Sequence, residues 1–335
     1  MTDDAADFDI HAVRIAKAVA DAGSLTGAAK LLGYSQPAIS QQVRRLEARL
    51  GLPIVERVGR RVRLTQAGRV LARHAPAVTT ALDAAAGELA ALRGLRAATV
   101  RLVGFPSATP TILPRVLARI AEAEPGITVT YVEAEPPEAV AAVREDRADI
   151  ALTFAYPGDR ADPHRESARG LAVRRVGRDD LLVVLPAGHP AAGGAVVDAA
   201  ALADENWIAG CPRCRGHLLE LCERAGFTPR IGFETDNVVA VEGLVAQGIG
   251  VAMLPSLGVA SFPVLPGVVT RRLPRGEERA IHLVTARGAE RIPAVAAVLA
   301  MLERAVAEST AAATKETAAA TKSTAAATKE TAAAN

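Results

Sequence analysis

Residues 24–50, SLTGAAKLLGYSQPAISQQVRRLEARL, constrain the fold more than any other stretch, because they predict two short helices joined by a tight turn. Ser24 is a good N-cap for the first helix, and Gly33 follows the last apolar residue, where helices commonly end. Ser35 caps the second helix, and Pro37 falls in its first turn, where a missing N–H costs nothing. The pattern indicates a helix-turn-helix.

The second predicted helix has two contrasting faces. Its apolar residues recur at intervals of four, three and four, so they form one buried stripe. The opposite face is polar and basic, and Gln and Arg can each form bidentate hydrogen bonds to base edges in the major groove. We therefore predict DNA contacts from this face, with a merely solvated polar surface as the alternative. The predicted contact residues are Ser35, Gln36, Pro37, Ser40, Gln41, Arg44 and Arg45.

The segment after these helices is strongly basic. Between Lys30 and Arg73, ten basic and two acidic side chains give a local net charge of +8, whereas the whole chain carries +2. Such a patch on a nearly neutral protein is typical of contact with a nucleic-acid backbone. Two strand-like runs joined by the turn VGRR predict a wing in this segment. Its predicted DNA-contacting residues are Arg57, Arg60, Arg61 and Arg63.

The run SQPAISQQVRRLEARLG, followed by Arg57 and LTQAG, closely resembles the signature of the LysR-type transcriptional regulators. The resemblance implies an α+β fold at the N-terminus, a winged helix-turn-helix with a long dimerising linker helix. It also implies an α/β effector domain of two subdomains, like a periplasmic binding protein. The implied partners are double-stranded DNA, a small-molecule effector and further copies of the chain, as a homodimer or homotetramer. Ile54 and Val55 stand where the family usually has Leu-Phe, which alters the packing under the wing.

A long helix is predicted from residue 66 to about residue 95. Its apolar residues alternate in steps of four and three, a heptad-like seam that must be buried against something. A second copy of the same helix is the economical partner, and the alternative is two helices packed on their own chain. Pro76 predicts a kink, because it removes one backbone hydrogen bond. The seam consists of Leu71, Ala75, Val78, Leu82, Ala85, Leu89 and Leu92.

From Thr99 onward, short β-rich runs alternate with helical stretches, which predicts a parallel α/β sheet. We predict four regions along the chain: the winged helix-turn-helix at 1–65, the linker and dimerisation helix at 66–96, the two-subdomain effector domain at 97–308, and an Ala/Thr repeat tail at 309–335. The tail repeats TAAATK with small side chains that cannot anchor an apolar seam, so we expect it to be frayed or disordered.

A ligand in such a two-lobed α/β fold is expected where strands end and helices begin. Hydroxyl, amide and basic groups at three predicted helix starts could hold an anion there, although capping alone also explains the hydroxyls. Arg213 and Arg215 add positive charge, which favours a carboxylate. The predicted effector-binding residues are Ser107, Thr109, Cys211, Arg213, Thr235 and Asn237.

The three cysteines lie close together, with His217 between them. We interpret them as reduced structural residues, because Cys222 projects roughly 80° away from Cys214 on a regular helix. The alternative is a metal- or redox-responsive regulator that signals through Cys211, Cys214 and Cys222, since thiolates bind zinc and a cysteine at a helix N-terminus oxidises readily.

Other signals exclude several classes of protein. The N-terminus is acidic and lacks an apolar core, and the most apolar window is interrupted by Glu242 and Pro255. We therefore expect no secretory signal, no membrane span and a cytoplasmic location. No catalytic motif or phosphate loop fits its required context, so the sequence predicts a protein that is not an enzyme and has no cofactor and no bound metal.

Overall fold

The N-terminal helices form as predicted. The computed structural model describes residues 9–58, 61–92, 98–158, 168–274 and 277–333. Ser24 Oγ accepts from the Gly27 N–H at 3.0 Å, and Ser35 Oγ accepts from the Ala38 N–H at 3.3 Å. Gly33 ends its helix with a φ of 71°, a left-handed conformation that favours glycine. The elements are α1 (Ile10–Ala22), α2 (Leu25–Leu32), α3 (Gln36–Leu50), β1 (Val55–Val58), β2 (Arg61–Leu64) and α4 (Gln66–Leu92).

The β1–β2 hairpin is fixed to α3 and α4 by close backbone contacts. Glu47 on α3 accepts from the N–H groups of Ile54 at 2.8 Å and Val55 at 3.2 Å. Gly68 on α4 approaches the hairpin so closely that a Cβ there would overlap the Ile54 carbonyl oxygen. Ile54 is buried. The aliphatic residue therefore fills the space under the wing.

The linker helix α4 is a single helix that continues through Pro76. The first part of its seam packs against its own chain, since Leu71 and Ala75 are buried in the core of the N-terminal helices. Further along, Leu82 is 52% exposed and Leu89 is 61% exposed. The seam therefore divides between the two predicted roles: its start packs on the same chain, and its later leucines remain available to a second copy.

The first lobe of the remaining chain is built on five strands. Their order is β4-β3-β5-β11-β6, with β3 parallel to β4 and β5, and β11 antiparallel to β5 and β6. The first-lobe elements are β3 (Ala98–Gly104), α5 (Leu113–Ala123), β4 (Ile127–Glu133), α6 (Pro136–Arg144), β5 (Ile150–Ala155), residues 171–180 of β6 (Leu171–Pro186) and β11 (Glu278–Ala286).

The second lobe continues from the same long strand, because residues 181–186 of β6 pair with β9 and β10. The sheet is thus mixed and not purely parallel: the parallel pairs are present, while β6, β10 and β11 run antiparallel to their neighbours. The second-lobe elements are β7 (Asn206–Ala209), α7 (Pro212–Arg224), β8 (Arg230–Glu234), α8 (Val238–Ala246), β9 (Val251–Pro255), α9 (Ser256–Val259) and β10 (Val268–Arg272).

Only the last six of the 16 residues of β6, LLVVLP, form an apolar run, so the sequence pattern alone predicts a much shorter strand. Its polar first part, LAVRRVGRDD, is held by pairing with β11 and exposes several side chains. A strand with one exposed side need not be apolar.

The last helix, α10 (Pro293–Ala333), contradicts the expectation of a frayed or disordered tail, because it continues through the repeat. Its packed part extends past residue 308: Ala313 is buried, and Ser309 Oγ donates to the Thr111 carbonyl at 2.9 Å. Alanine has the highest helix propensity, so a helix already anchored by packing propagates into an Ala-rich segment. None of the helices in the described ranges is long and apolar enough to cross a membrane.

Candidate functional site

The outer face of α3 carries the polar residues predicted to contact DNA. Gln36, Gln41, Arg44 and Arg45 are exposed, whereas Ile39 on the inner side is fully buried. Gln36 Nε2 donates to Ser40 Oγ at 2.9 Å, and Arg44 Nε donates to the Ser40 carbonyl at 3.3 Å. These bonds link Gln36 and Arg44 to Ser40, while both side chains remain exposed to solvent. Ser35 Oγ, by contrast, serves as the N-cap.

The hairpin presents further basic side chains beside α3. Arg57 and Arg63 are exposed on neighbouring strands, where Arg57 pairs with Val62 and Arg63 pairs with Glu56. Arg60 and the side chain of Arg61 lie outside the described residues. The described part of the wing therefore supplies two exposed guanidinium groups next to the polar face of α3, an arrangement suited to phosphates.

A cleft of about 170 Å³ lies between the two lobes. Ser107 and Glu135 reach it from the first lobe, whereas Cys214 and Asp236 reach it from the second. Its walls are largely apolar, which suits a small ligand with few polar groups. The apolar lining residues are Pro106, Pro110, Phe154, Val238, Val239, Met253, Leu254, Pro255 and Phe262.

A buried ion pair forms the base of the cleft. Arg279 on β11 donates through Nε and Nη2 to Asp179 Oδ2 on β6, at 3.0 and 2.8 Å, and Nη2 also donates to Ser107 Oγ at 2.5 Å. The other oxygen of Asp179 accepts from Ser256 Oγ at 2.7 Å and from the Leu257 N–H at 3.0 Å. The pair therefore ties Ser107 of the first lobe to Ser256 of the second, at the point where β6 passes between them.

Aromatic rings enclose this arginine. The Arg279 guanidinium lies 4.3 Å from the centroid of Phe154 and 4.8 Å from that of Phe105. Burial lowers its pKa, but the nearby Asp179 carboxylate more than offsets this, so the pKa of Arg279 lies above its ordinary value and the side chain stays charged. The base of the cleft is thus a buried ion pair in which Arg279 stays protonated and Asp179 balances its charge.

Three of the six predicted effector residues line the cleft: Ser107, Thr235 and Asn237. Asn237 Oδ1 also accepts from the Ala240 N–H at 3.1 Å, so it serves as the N-cap of α8. Thr109 is outside the lining, because its hydroxyl bonds with Tyr131 at 2.9 Å and donates to Glu133 at 2.7 Å.

Arg213 and Arg215, from which a carboxylate ligand was predicted, also lie outside the cleft lining. Arg215 Nε lies 3.0 Å from Glu234 Oε1. Arg213 is half-buried, and its side chain contacts other groups. Cys211, the remaining predicted contact, is buried behind the lining. Among the described lining residues, the positive charge therefore comes from Arg279, which Asp179 already neutralises.

Two of the cysteines are in contact at the start of α7. Cys211 Sγ donates to Cys214 Sγ at 3.2 Å, and the Tyr156 hydroxyl donates to Cys214 Sγ at 3.3 Å. The Cys211 hydrogen bond and the Arg279 charge lower the pKa of Cys214, whereas the same hydrogen bond and burial raise the pKa of Cys211. Cys214 is thus the more acidic of the two thiols and lines the cleft, while Cys211 is its hydrogen-bond donor.

The third cysteine and the histidine have separate structural roles. Cys222 is fully buried in the second-lobe core with Trp207, and burial raises its pKa to about 11. His217 stacks on Tyr156 with ring centroids 4.1 Å apart, and its Nε2 lies 3.1 Å from Glu277 Oε2. The divergence predicted for Cys222 and Cys214 is confirmed, since the two side chains enter different cores.

Two carboxylates that the sequence did not single out lie near Cys211: Glu135 from the first lobe and Asp236 from the second. Single ligand atoms of Glu135, Cys211 and Asp236 all lie within 4.8 Å of one another. Burial raises the pKa of both Glu135 and Asp236. Glu135 follows strand β4 directly, so the rule that sites lie at the carboxyl ends of strands was the signal that could have found it. Arg279 and Asp179 carried no such signal, because only the β6–β11 register brings them together.

Comparisons with known proteins agree with this architecture. A family model described as "Bacterial regulatory helix-turn-helix protein, lysR family" matches residues 10–69, and one described as "LysR substrate binding domain" matches residues 93–307. A probable hydrogen peroxide-inducible genes activator of Mycobacterium avium is 37% identical over 257 residues, which cover 75% of this chain and 78% of that protein.

Two solved structures have the same overall fold. A full-length OxyR cysteine mutant from Pseudomonas aeruginosa superposes with a TM-score of 0.63 at 21% identity, covering 88% of this chain and 94% of that one. An OxyR cysteine mutant from Corynebacterium glutamicum, in the presence of hydrogen peroxide, gives a TM-score of 0.57 at 25% identity, covering 92% and 95% of the two chains.

Proposed function

The chain belongs to the LysR family of transcriptional regulators, and we propose that the outer face of α3 reads its operator while a signal in the interlobe cleft controls that binding. As a member of the family it binds DNA and a small-molecule effector, and it forms oligomers. Its relatives are transcriptional regulators, so we infer that it is not an enzyme. Because its partner is DNA, we place it in the cytoplasm. The proposal keeps the four predicted regions of the chain, with boundaries at residues 65, 96 and 308.

The observation that carries the DNA-reading assignment is the division of α3 into two faces. Ile39, Val43 and Leu46 are buried, whereas Gln36 and Arg44 are exposed on the other side and ordered by Ser40. A helix with exposed Gln and Arg side chains matches the acceptors of the major groove. Arg57 and Arg63 on the wing are assigned to phosphate contacts.

A genomic selection tests this assignment. Purified full-length protein is mixed with sheared DNA from its source at near-physiological salt, and the bound fragments are sequenced. We expect an interrupted inverted repeat at a few loci, because a symmetric dimer requires symmetric half-sites. Broad recovery without a shared motif would show that α3 does not read bases.

The cleft is suited to transmit a signal because Arg279 and Asp179 connect hydroxyls of both lobes. A ligand seated between Ser107 and Asn237 changes this connection directly. A carboxylate effector, predicted from Arg213 and Arg215, stays a prediction. Among the described lining residues, Arg279 is the one cation that such an effector could contact. The apolar walls favour an effector with a hydrocarbon body.

A second candidate signal is thiol oxidation, favoured by the 3.2 Å contact between the Cys211 and Cys214 sulfurs. The Cys214 thiolate attacks a peroxide oxygen, the O–O bond breaks, and the products are a Cys214 sulfenic acid and, after protonation, water or an alcohol. Cys211 then attacks the Cys214 sulfur, forms a disulfide and releases water. The relative from Mycobacterium avium, a probable hydrogen peroxide-inducible genes activator, supports this candidate.

Mass spectrometry of thiols after one equivalent of hydrogen peroxide tests the oxidation. We expect one intrachain disulfide, between Cys211 and Cys214, with Cys222 still reduced, and a changed DNA affinity. Cys214→Ser abolishes the change, while Cys222→Ser serves as the matched control and keeps it. A disulfide that includes Cys222, or a DNA affinity that ignores peroxide, would overturn this candidate.

A further inference from the structure

We propose that Glu135, Cys211 and Asp236, with Cys214 as the fourth donor, bind a thiophilic divalent cation of the zinc class that joins the two lobes. The binding itself goes beyond the function proposed above, whereas its effect on DNA affinity rests on that function. The site differs from a cluster of the three cysteines, because Cys222 lies in another core and takes no part.

The donor atoms already converge. The ligand atoms of Glu135, Cys211 and Asp236 lie within 4.8 Å of one another, and the sulfur of Cys214 is 3.2 Å from that of Cys211. A tetrahedral zinc ion with bonds of about 2.0–2.3 Å holds its ligand atoms roughly 3.5 Å apart. Inward movements of about 1 Å therefore suffice for the Cys211 sulfur and the two carboxylate oxygens, and Cys214 adjoins Cys211 as the fourth donor.

The local packing leaves a place for a cation. Oε2 of Glu135 is buried and has no hydrogen-bond partner within the described ranges, while the carboxylate as a whole interacts with the Cys211 side chain. The nearest lining cation, Arg279, is directed to Asp179 and Ser107 instead. A buried carboxylate oxygen without a partner is costly, and a metal ion satisfies it.

A glycine keeps the ligands close. A Cβ at Gly210 would lie 3.2 Å from Asp236 Oδ1 and 3.3 Å from the Cys214 Cβ, tighter than ordinary contact. The missing side chain therefore lets α7 and the start of α8 approach each other until the second-lobe donors share one space. This constraint is independent of the cysteine spacing and points to the same location.

The ligands come from both lobes. Glu135 follows β4 in the first lobe, while Cys211 follows β7 and Asp236 follows β8 in the second. A bound ion consequently fixes the distance between the lobes. Metal binding and disulfide formation exclude each other, because both require the thiols of Cys211 and Cys214.

Titration of the reduced full-length protein with Co²⁺, followed by displacement with Zn²⁺, tests the site. We expect one Co²⁺ per chain with tetrahedral visible bands and a thiolate-to-metal charge-transfer band. Glu135→Gln and Asp236→Asn should each weaken binding by more than about tenfold. Cys211→Ser should remove most of the charge-transfer band. The matched controls are Glu138→Gln, an exposed carboxylate three residues from Glu135, and Cys222→Ser, and both should bind like the wild type.

Alkylation of the unmodified protein gives a test that needs no variant. Saturating Zn²⁺ should protect Cys211 and Cys214 from alkylation in mildly denaturing conditions while Cys222 reacts at its usual rate. Absence of binding, equal protection of all three cysteines, or an unchanged affinity in Glu135→Gln would each overturn the proposal.

Operator binding by the metal-free protein keeps the two proposals distinguishable. If the apo protein binds its operator and Zn²⁺ binds without changing that affinity, the metal site stands and its regulatory role is wrong. If the apo protein reads no operator although Zn²⁺ binds, the failure belongs to the proposed function alone.

Discussion

The DNA-reading face and the interlobe cleft are built in opposite ways. The predicted base-contacting residues lie within ten positions of one helix, 36–45, and each is exposed to solvent or nearly so. The cleft takes Ser107, Glu135, Asp179, Asp236 and Arg279 from segments far apart in the chain, and its main ion pair is buried. The face of α3 is therefore specified by one sequence motif, whereas the residues of the cleft come together only after the sheet has formed.

The two sites also handle charge differently. The segment around α3 keeps a net charge of +8 in water, where each charge costs little and attracts phosphate from a distance. The cleft buries its charges, so each needs a specific partner. A substitution should consequently change DNA affinity in the first region and stability in the second.

The largest effect is expected at the base of the cleft. Arg279→Met leaves the Asp179 carboxylate buried without its cation, which should lower the free energy of unfolding of the effector region by about 3–5 kcal/mol. Trp207 is the single tryptophan and is buried in the second lobe, so its fluorescence during urea unfolding measures this loss.

The double variant Asp179→Asn with Arg279→Met is the control. It removes both charges and keeps an oxygen for Ser256 and Leu257, so most of the lost stability should return. A double variant as unstable as Arg279→Met alone would show that packing of the arginine, and not its pairing, dominates.

The next largest effect is expected under the wing. Gly68→Ala places a methyl group on the Ile54 carbonyl oxygen and should destabilise the N-terminal region by about 3 kcal/mol. Thermal unfolding followed by far-UV circular dichroism should show an earlier transition, while the Trp207 transition stays in place. Gly243→Ala in α8, where a Cβ meets nothing within 4 Å, should be neutral or stabilising. Simultaneous shifts of both transitions in Gly68→Ala would mean that the two regions unfold together.

A smaller effect is expected on DNA binding. Arg44→Ala should weaken operator binding by about 2 kcal/mol and relax the base preference, because a bidentate contact to a base is lost. Arg115→Ala, an exposed residue on α5 with the same change in charge, should leave operator binding unaffected. Quantitative binding to operator and random DNA at two salt concentrations separates the outcomes. If both variants lost the same operator affinity, Arg44 would contribute only through the net charge of the protein and not through a base contact.

The smallest effect is expected in the acid range. The His217 hydrogen bond, aided by Arg224, holds the pKa of Glu277 below its ordinary value of 4.5. A lowered folded-state pKa stabilises the fold above the unfolded pKa, and this contribution disappears as pH falls through the folded pKa. Glu277→Gln should cost about 1 kcal/mol at pH 7, and this deficit should shrink steadily as the pH falls below 4.5.

Urea titrations across pH with Trp207 fluorescence measure this difference. Glu290→Gln on an exposed turn is the matched control and should show no pH-dependent loss. A constant deficit of Glu277→Gln at every pH would attribute the effect to packing and not to charge.

The N-terminal region was predictable because its signals are local. Ser24, Ser35 and Gly33 fix the helix ends through contacts within four residues, and the sequence placed each of them correctly. The contact between Glu47 and the start of the wing was missed, since it spans seven residues and has no motif. The proposed base contacts of α3 remain predictions.

The cleft was predictable in position and not in composition. Strand ends led to Ser107, Thr235 and Asn237, but Arg279 lies within a strand whose partner register the sequence does not reveal. Arg213 and Arg215 were chosen for their charge, although the turn of α7 directs them away from the lining. Pairing across a sheet decides such residues, and no single segment encodes it.

Strand β6 has a consequence for the order in which the protein is made. The second lobe consists of residues 181–274, whereas the first lobe needs β11 and α10 from the end of the chain to complete its sheet and core. Chains emerge from the ribosome N-terminus first, and regions fold as units once their residues are available. The N-terminal winged helix-turn-helix is thus completed first, the second lobe next, and the first lobe last. A newly made chain therefore completes its DNA-binding helices before the cleft between the two lobes has formed.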